Sequence, residues 1–351
     1  MKKKEIIFFS NVLNPYQKDF LKELSKRISI YSIFNEKKIE NSPWSFKDDI
    51  NIKNISSLNY IDRKKFYMKI IKKYNSGNFL LGGYKIRDVF TILFLSKKYN
   101  RKIYFFLEKP KNNIKIGLFL KKIYLRLLLK IFRCDGIFAV GKSAKDYYKQ
   151  ISNKVYNLPY SVNPSKYKKT FLNKKKILKF IFIGQLINRK GINTLGLAFE
   201  KLNNSNYKNK FILNIVGIGK QKNYIKQLSL KHKNLNYLGF LDQKKLTNVL
   251  SKNQVLILPS IREGWGVVVN EAMASGLALI LNKNMEITKD FFINKFHGLI
   301  INNSTDSLYE NMKYMIKNID KATIMGKKNY NFFLKSKLNS KNSATFFISK
   351  I

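Results

Sequence analysis

The fold of this chain is decided by residues 259–276, which read PSIREGWGVVVNEAMASG. Apolar runs at 255–258 and 277–281 flank this stretch and are typical of buried strands. Between them, a glycine-rich turn leads into a predicted helix at 267–275, which Gly276 is placed to end. Two strands joined through a helix form a crossover connection, so the pattern predicts parallel strands.

The start of this predicted helix is suited to binding a phosphate. The first N–H groups of a helix have no partner within it and attract anions, and Gly264 and Gly266 let the backbone approach a ligand. Glu263 lies in the turn, and Glu271 lies eight positions later, where it shares a helix face with Val267. A phosphate site flanked by two carboxylates, each able to accept hydrogen bonds from hydroxyl groups, suits a nucleotide sugar as the ligand.

This stretch resembles the Glu-x7-Glu motif of the retaining nucleotide-sugar glycosyltransferases of family 4, which have the GT-B fold. Glu263 and Glu271 stand among Pro-Ser, Glu-Gly-x-Gly and Glu-Ala-Met-Ala-x-Gly, and this context makes the resemblance specific. The resemblance implies that Glu263 contacts the donor sugar and that Glu271 binds the ribose. The alternative is a surface loop and helix with two solvated glutamates.

The resemblance extends to the segment 180–191, FIFIGQLINRKG, which is similar to the family's Gly-Arg-Leu…Lys-Gly motif. Gly184 takes the place of the glycine, and Lys190 takes that of the lysine that binds the diphosphate. Gln185 stands where the family has an arginine, and Arg189 is a candidate to replace that charge. Two adjacent cations after a strand suit a diphosphate. The alternative is a pair of ordinary surface cations in a lysine-rich chain.

Weaker candidates for the site lie elsewhere. Two further segments match the family's strands near the nucleotide in order and spacing, and they add Gly217 and Leu241 to the predicted donor site. In the first half, Asn11 and Glu108 each follow a predicted strand. The carboxyl ends of strands in open α/β sheets face the ligand crevice, so both residues are candidates for the acceptor side.

The order of predicted elements implies two domains. Strands and helices alternate, pause at a polar, lysine-rich segment, and then alternate again. We expect an α/β, GT-B-like fold with two doubly wound parallel-sheet (Rossmann-like) domains facing each other across a cleft. Residues 1–165 would bind the acceptor and residues 166–335 the donor. Residues 336–351 are expected to form a helix that returns to the first domain, as is common in the family.

The composition is strongly basic, with 68 Lys and Arg against 21 Asp and Glu and a net charge of +47. Codon bias is one explanation, because the chain is also crowded with Asn, Ile, Phe and Tyr. The other is attraction to an anionic membrane or to nucleic acid. A non-enzymatic, basic nucleic-acid-binding protein is thus an alternative, but the cations are spread along the chain and no RRM, KH or zinc pattern is present. We therefore expect no specific nucleic acid partner.

A predicted helix at 114–133 favours contact with a membrane. A basic stripe recurs at steps of four, four and three, at Lys122, Arg126, Lys130 and Arg133. A broad apolar surface is predicted on the same helix, at Leu118, Leu125, Leu128, Leu129 and Phe132. Such a helix can lie on an anionic leaflet, and the alternative is a domain helix with a solvated lysine face.

The remaining features predict a cytoplasmic protein, either soluble or in peripheral contact with the inner face of the cytoplasmic membrane. Cys134 is the single cysteine, so no disulfide forms within the chain, which fits a reducing compartment. The first apolar run stops at Phe9, which is too short for a signal peptide. No run approaches the roughly 20 apolar residues that a spanning helix requires.

The resemblance implies transfer of a hexosyl group, with retention, from a nucleotide-diphosphate sugar to a glycan or lipid-linked saccharide acceptor. The expected setting is the synthesis of bacterial surface polysaccharide or lipopolysaccharide. The nucleotide sugar is a co-substrate and no cofactor is expected. No Asp-x-Asp pattern or His cluster is present to hold a metal ion, so we expect metal-independent catalysis. Because Gln185 departs from the family, an inactive donor-binding scaffold is a further alternative.

Overall fold

A computed structural model describes residues 4–35, 52–83, 88–110, 115–169 and 177–351, with the backbone alone for residues 52 and 115–118. The chain divides into two compact units. Unit 1 comprises Met1–Ser161 with Ser343–Ile351, and unit 2 comprises Val162–Asn342.

Unit 1 alternates strands and helices. Its strands are β1 (Glu5–Ser10), β2 (Ser29–Phe34), β3 (Ile52–Asn54), β4 (Asn78–Leu81), β5 (Ile103–Leu107), β6 (Gly136–Ala139) and β7 (Val155–Asn157). Its helices are α1 (Pro15–Ser25), α2 (Tyr60–Lys73), α3 (Val89–Lys98), α4 (Lys115–Ile131) and α5 (Lys142–Lys149). The strands pair in the order β3-β2-β1-β4-β5-β6-β7, and every pair is parallel. Strands β5 and β6 are buried along their whole length, as parallel strands covered on both faces should be.

Unit 2 follows the same plan. Its strands are β8 (Leu178–Ile183), β9 (Phe211–Val216), β10 (Leu235–Gly239), β11 (Val255–Leu258), β12 (Ala278–Asn282) and β13 (Gly298–Ile301). Its helices are α6 (Ile192–Asn203), α7 (Lys222–Lys231), α8 (Gln243–Leu250), α9 (Val268–Ala274), α10 (Glu286–Asp290), α11 (Thr305–Lys317) and α12 (Ile319–Lys335). The six parallel strands have the order β10-β9-β8-β11-β12-β13. The order reverses between β8 and β11, and ligands bind α/β sheets beyond the strand ends at such a reversal.

These sheets confirm the predicted fold class of two doubly wound parallel α/β domains. Residues 255–276 also have their predicted form. Strand β11 occupies residues 255–258, and α9 falls within the helix predicted at 267–275 but is one residue shorter at each end. Strand β3 pairs with β2 and adds an edge strand to the sheet of unit 1 that the sequence analysis did not predict.

The last helix, α13 (Ser340–Ile348), ends in unit 1. Phe347 is fully buried there, and its ring centroid lies 5.6 Å from that of Phe20 on α1 and 4.6 Å from that of Phe138 on β6. The aromatic side chain therefore packs the end of the chain against the sheet of unit 1.

The structure distinguishes between the two interpretations of the apolar surface predicted on α4. The membrane alternative placed Leu125, Leu128, Leu129 and Phe132 on a leaflet, but they are buried in the core of unit 1, as the alternative of a domain helix requires. The Leu118 side chain lies outside the described part of the structure. A helix that covers a sheet must turn an apolar face inward, and on α4 these four residues form that face. Among the described helices, none is long and apolar enough to span a membrane.

Candidate active site

The loop after β8 carries Arg189 and Lys190 and lies against the loop after β11. It makes one turn of 3-10 helix, Asn188–Lys190, and continues through Gly191 at a φ of +73°. A side chain at position 191 would collide with the carbonyl oxygen of Pro259. Glycine is therefore required for the two loops to approach each other this closely.

Glu263 is the carboxylate at which these cations meet. Lys190 donates a hydrogen bond from Nζ to Oε2 of Glu263 and forms an ion pair with it. Nη1 of Arg189 lies 3.8 Å from the same oxygen, and Oγ of Ser260 lies 3.5 Å from it. The side chains of Lys190 and Glu263 are only 14% and 13% exposed, whereas that of Arg189 is 44% exposed. The pair is thus partly shielded from water, and charges that are shielded from water attract each other more strongly.

The position of this pair in the sheet is significant. Lys190 follows β8 and Glu263 follows β11, and these are the neighbouring strands between which the strand order reverses. The fold therefore brings together two motifs that lie 73 positions apart in the chain. They meet at the sheet edge where α/β domains bind their ligands.

Glu271, the second predicted carboxylate, lies on α9 and is held by two residues of other elements. Its Oε1 accepts a 3.0 Å hydrogen bond from the hydroxyl of Tyr167 and a 3.4 Å one from Nε2 of Gln243. Nε2 of Gln243 also lies 3.1 Å from the Tyr167 hydroxyl, which closes a three-membered polar cluster. Sequence reasoning missed both partners, because neither belongs to a motif and Tyr167 lies in the polar, lysine-rich segment between the two predicted domains.

The other residues of the predicted donor site have the following positions. Gly184 directly follows β8 and contacts Gly217. Gly217 has a φ of +142°, and a side chain there would collide with the carbonyl oxygen of Gly184. This contact explains the glycine at 217 by packing alone. Gln185 is exposed, and Leu241 is half-buried between β10 and α8. The loop that leads into α9 contains Gly264, Gly266 and Val267, all half-buried.

Trp265, inside the decisive stretch, is a packing residue. It is buried, and its Nε1 donates a 3.2 Å hydrogen bond to Oδ1 of Asn270 on α9. Its ring centroid lies 6.2 Å from that of Phe291. The indole therefore anchors the loop that carries Glu263 to the helix that carries Glu271.

Glu108, predicted on the acceptor side, follows β5 in unit 1 and has an aromatic environment. Its Oε1 accepts a 2.8 Å hydrogen bond from the hydroxyl of Tyr160, and the ring of Tyr16 lies 4.2 Å from that of Tyr160. Burial raises the pKa of both tyrosines, and the nearby carboxylate adds to this. Both phenols therefore stay protonated and can serve as hydrogen-bond donors.

Asn11, the other residue predicted there, is bonded to the end of β2. Its backbone carbonyl accepts a 3.2 Å hydrogen bond from the N–H of Asn35, and the two side chains are 3.4 Å apart. In the structure, Asn11 thus helps to fix the loop after β1.

Residues 164–332 match the family model for glycosyl transferases group 1. The matched range contains Lys190, Glu263, Glu271 and all of their partners described above. Residues 164–332 form a glycosyl transferases group 1 domain.

Relatives of the chain support this assignment. An uncharacterized glycosyltransferase of Methanocaldococcus jannaschii is 27% identical over 250 residues, which cover 58% of this chain and 62% of that protein. The O-antigen chain mannosyltransferase RfbU of Salmonella typhimurium is 29% identical over 178 residues, or 47% of each chain. A 41.2 kDa protein of the cps region of Klebsiella pneumoniae is 24% identical and covers 78% of this chain and 76% of its own length. The first two alignments thus span about half to three fifths of the relatives' own length.

Solved structures show that the group 1 domain and unit 1 have known folds. A glycosyltransferase from Rickettsia africae matches with a TM-score of 0.78 at 16% identity, over 99% of this chain and 98% of that one. Anabaena HepE, solved in complex with UDP, matches with a TM-score of 0.75 at 11% identity over 98% of both chains. The two parallel-sheet units therefore match GT-B glycosyltransferase structures.

Proposed function

We propose that this chain transfers a hexosyl group from a nucleotide-diphosphate sugar to a glycan or lipid-linked saccharide, with retention of the anomeric configuration. The observation that carries the proposal is the Lys190–Glu263 pair at the strand reversal of the group 1 domain. The UDP complex of Anabaena HepE supports a nucleotide-diphosphate donor.

Lys190 and Arg189 would bind the diphosphate. Negative charge builds on the leaving phosphate as the glycosidic bond breaks, and fixed cations at that point lower the barrier. Arg189, which lies 3.8 Å from Glu263, supplies the second positive charge that Gln185 lacks, and this favours an active enzyme over a donor-binding scaffold. We propose that these cations stabilise the leaving group without a metal ion.

Glu263 would exchange partners when the donor binds. In the structure, its carboxylate is bonded to Lys190. A diphosphate carries more charge than a carboxylate and competes for the lysine, which releases Glu263 to accept hydrogen bonds from hydroxyl groups of the donor sugar. The ion pair thus keeps both groups in place before the donor arrives.

Glu271 would bind the ribose of the donor. Tyr167 and Gln243 fix the orientation of its carboxylate from two directions. An ionised carboxylate has about four acceptor positions, so the two hydroxyl groups of a ribose can bind beside these protein donors. Ribose binding would not depend on which base the nucleotide carries.

The setting that we propose is the synthesis of bacterial surface polysaccharide or lipopolysaccharide in the cytoplasm, in peripheral contact with the inner membrane. Two relatives support it, the O-antigen chain mannosyltransferase of Salmonella typhimurium and the protein of the Klebsiella pneumoniae cps region. Unit 1 would bind the acceptor, with Glu108 and its tyrosine partners as candidates for contact with sugar hydroxyls.

A thermal-shift panel of nucleotide sugars followed by a turnover assay tests this proposal. A ligand that binds only the folded chain raises its melting temperature, so we expect one nucleotide-sugar class to stabilise the protein and then to be consumed. Turnover should persist in a chelator, and NMR of the product should show the donor's anomeric configuration. If neither nucleotide sugars nor free nucleoside diphosphates shift the melting temperature, the proposal is wrong.

A further inference from the structure

The outer face of α4 carries an exposed apolar row. Its members recur every four residues and are each between 42% and 62% exposed: Phe119, Ile123, Leu127 and Ile131. Residues four apart lie on one side of a helix, so these side chains form one continuous ridge. The buried leucines of α4 face the opposite way, into the core of unit 1. The helix is therefore apolar on two sides, and only one of them is covered.

The neighbouring helices extend this surface. Phe90 and Phe94 of α3 are both more than half exposed, and the Phe94 ring packs edge-on against Phe132 of α4 at 5.5 Å. The hydroxyl of Tyr60, at the start of α2, lies 3.3 Å from Oγ1 of Thr91 on α3. Three adjacent helices thus present large apolar side chains to water, and a contiguous patch of this kind marks an interaction site.

The charges along α3, α4 and the segment between them are almost all positive. Residues 89–133 contain twelve Lys and Arg residues and a single acidic residue, Glu108. Three cations of the predicted basic stripe, Arg126, Lys130 and Arg133, are exposed beside the apolar row. A partner that covers this surface must therefore offer negative charge around an apolar interior.

A cavity of about 470 Å³ opens at one end of the row, between α4 and α5. Phe119 belongs to the apolar row and also lines the cavity, together with Lys109, Lys122, Ser143, Asp146, Tyr147 and Gln150. Lys122 donates to Oε1 of Gln150 and lies 5.4 Å from the centre of the Tyr147 ring. The two ammonium groups of the lining outnumber its one carboxylate, that of Asp146, and with the Ser143 hydroxyl they suit a phosphate headgroup. The apolar row beside the cavity suits acyl chains.

We propose that this face of unit 1 docks on a membrane rich in anionic phospholipid. The apolar row enters the boundary between headgroups and acyl chains, the exposed cations pair with headgroups, and the α4–α5 cavity receives one headgroup phosphate. This inference specifies the membrane contact within the proposed function, and it rests on that function only for its purpose, which is access to a lipid-linked acceptor. Nucleic acid would leave the apolar row uncovered, and a second copy would bring like charges together.

Flotation with phosphatidylglycerol or phosphatidylcholine vesicles tests the docking. The row variant Ile123→Ser/Leu127→Ser/Ile131→Ser is compared with Leu197→Ser/Leu230→Ser/Ile324→Ser, three apolar residues of unit 2 that are each more than half exposed. Both variants keep the net charge, so diffuse electrostatic attraction is the same in each. We expect the wild type to bind phosphatidylglycerol vesicles, the row variant to bind at least about tenfold more weakly, and the control to bind like the wild type.

A second pair of substitutions tests the proposed headgroup site in the cavity. Lys109→Gln/Lys122→Gln should weaken vesicle binding more than Lys252→Gln/Lys335→Gln, which removes two exposed charges from unit 2. Equal losses would refute the headgroup site. Equal binding of the row variant and its control would refute the docking, as would a stable dimer in light scattering that the row variant alone abolishes. A wild type that binds nucleotide sugars but not vesicles refutes the docking alone, whereas the reverse result refutes the proposed transferase.

Discussion

The hydroxyl of Tyr167 donates a 3.0 Å hydrogen bond to the carboxylate of Glu271, 104 positions later in the chain. Gln243, the first residue of α8, contacts both groups. The carboxylate that we assign to the ribose is therefore oriented by a residue before β8 and by a residue after β10. The site depends on contacts that no motif in the sequence marks.

This contact predicts a defect in donor binding for Tyr167→Phe. The variant loses one hydrogen bond to a charged group, which contributes about 1.5–3 kcal/mol, so the KM for the donor should rise roughly ten- to a hundredfold with little change in kcat. Steady-state kinetics measure this directly. In a cycle with Glu271→Gln, the two effects should be strongly non-additive; full additivity would show that Tyr167 acts elsewhere.

The Lys190–Glu263 pair predicts opposite behaviour of its two members. Glu263→Gln should lower kcat by about a hundredfold or more if the carboxylate acts on the donor sugar during transfer. Its affinity for a nucleoside diphosphate should not fall, because Lys190 no longer has a competing partner. Isothermal titration and turnover on the same preparation separate the two quantities. A joint loss of affinity and kcat would point to a damaged loop instead.

Lys190→Met should weaken binding of a nucleoside diphosphate but not of the bare nucleoside. The lost contact is to phosphate and is charge-assisted, so we expect a drop of roughly ten- to a hundredfold in diphosphate affinity. Lys252→Met is the matched control, because this exposed lysine precedes β11 and lies at the opposite edge of the sheet. Equal effects of the two variants would show that general positive charge, and not the site, attracts the ligand.

His297 predicts a pH dependence of stability. The imidazole is fully buried among phenylalanine rings, and Nδ1 accepts a 2.9 Å hydrogen bond from the N–H of Ile293. Burial lowers its pKa to about 4. In the unfolded chain, the imidazole of His297 is exposed to water and takes up a proton below a pH of about 6.5. The stabilisation is thus present above pH 6.5 and is lost as the pH falls towards 4, by about 3 kcal/mol.

The variant His297→Asn measures this contribution, because its side-chain oxygen can accept the same hydrogen bond without titrating. Urea unfolding at several values between pH 7 and pH 4.5 should show a shallower loss of stability in the variant than in the wild type. Parallel curves would show that the imidazole is not the group that responds.

Much of the fold follows from local patterns. The runs at 255–258 and 277–281 are continuous and apolar because parallel strands are covered on both faces. They predict β11 and β12 without any knowledge of the tertiary structure. The glycine-rich turn and the helix former after it then require a crossover between parallel neighbours. The positions of Lys190, Glu263 and Glu271 after strands or on a helix follow from the same local rules.

The partnerships within the site could not be predicted in this way. Whether Lys190 meets Glu263 depends on β8 lying beside β11, and strand order in a sheet is set by the packing of the whole unit. On α4, the periodicity left a membrane helix and a domain helix as alternatives, because apolar residues occupy two faces and a helical pattern does not say which face the sheet covers. Helices and strands follow from the local sequence because backbone preferences and the apolar pattern act over a few residues. The Lys190–Glu263 and Tyr167–Glu271 contacts span 73 and 104 positions and form only when the whole unit folds.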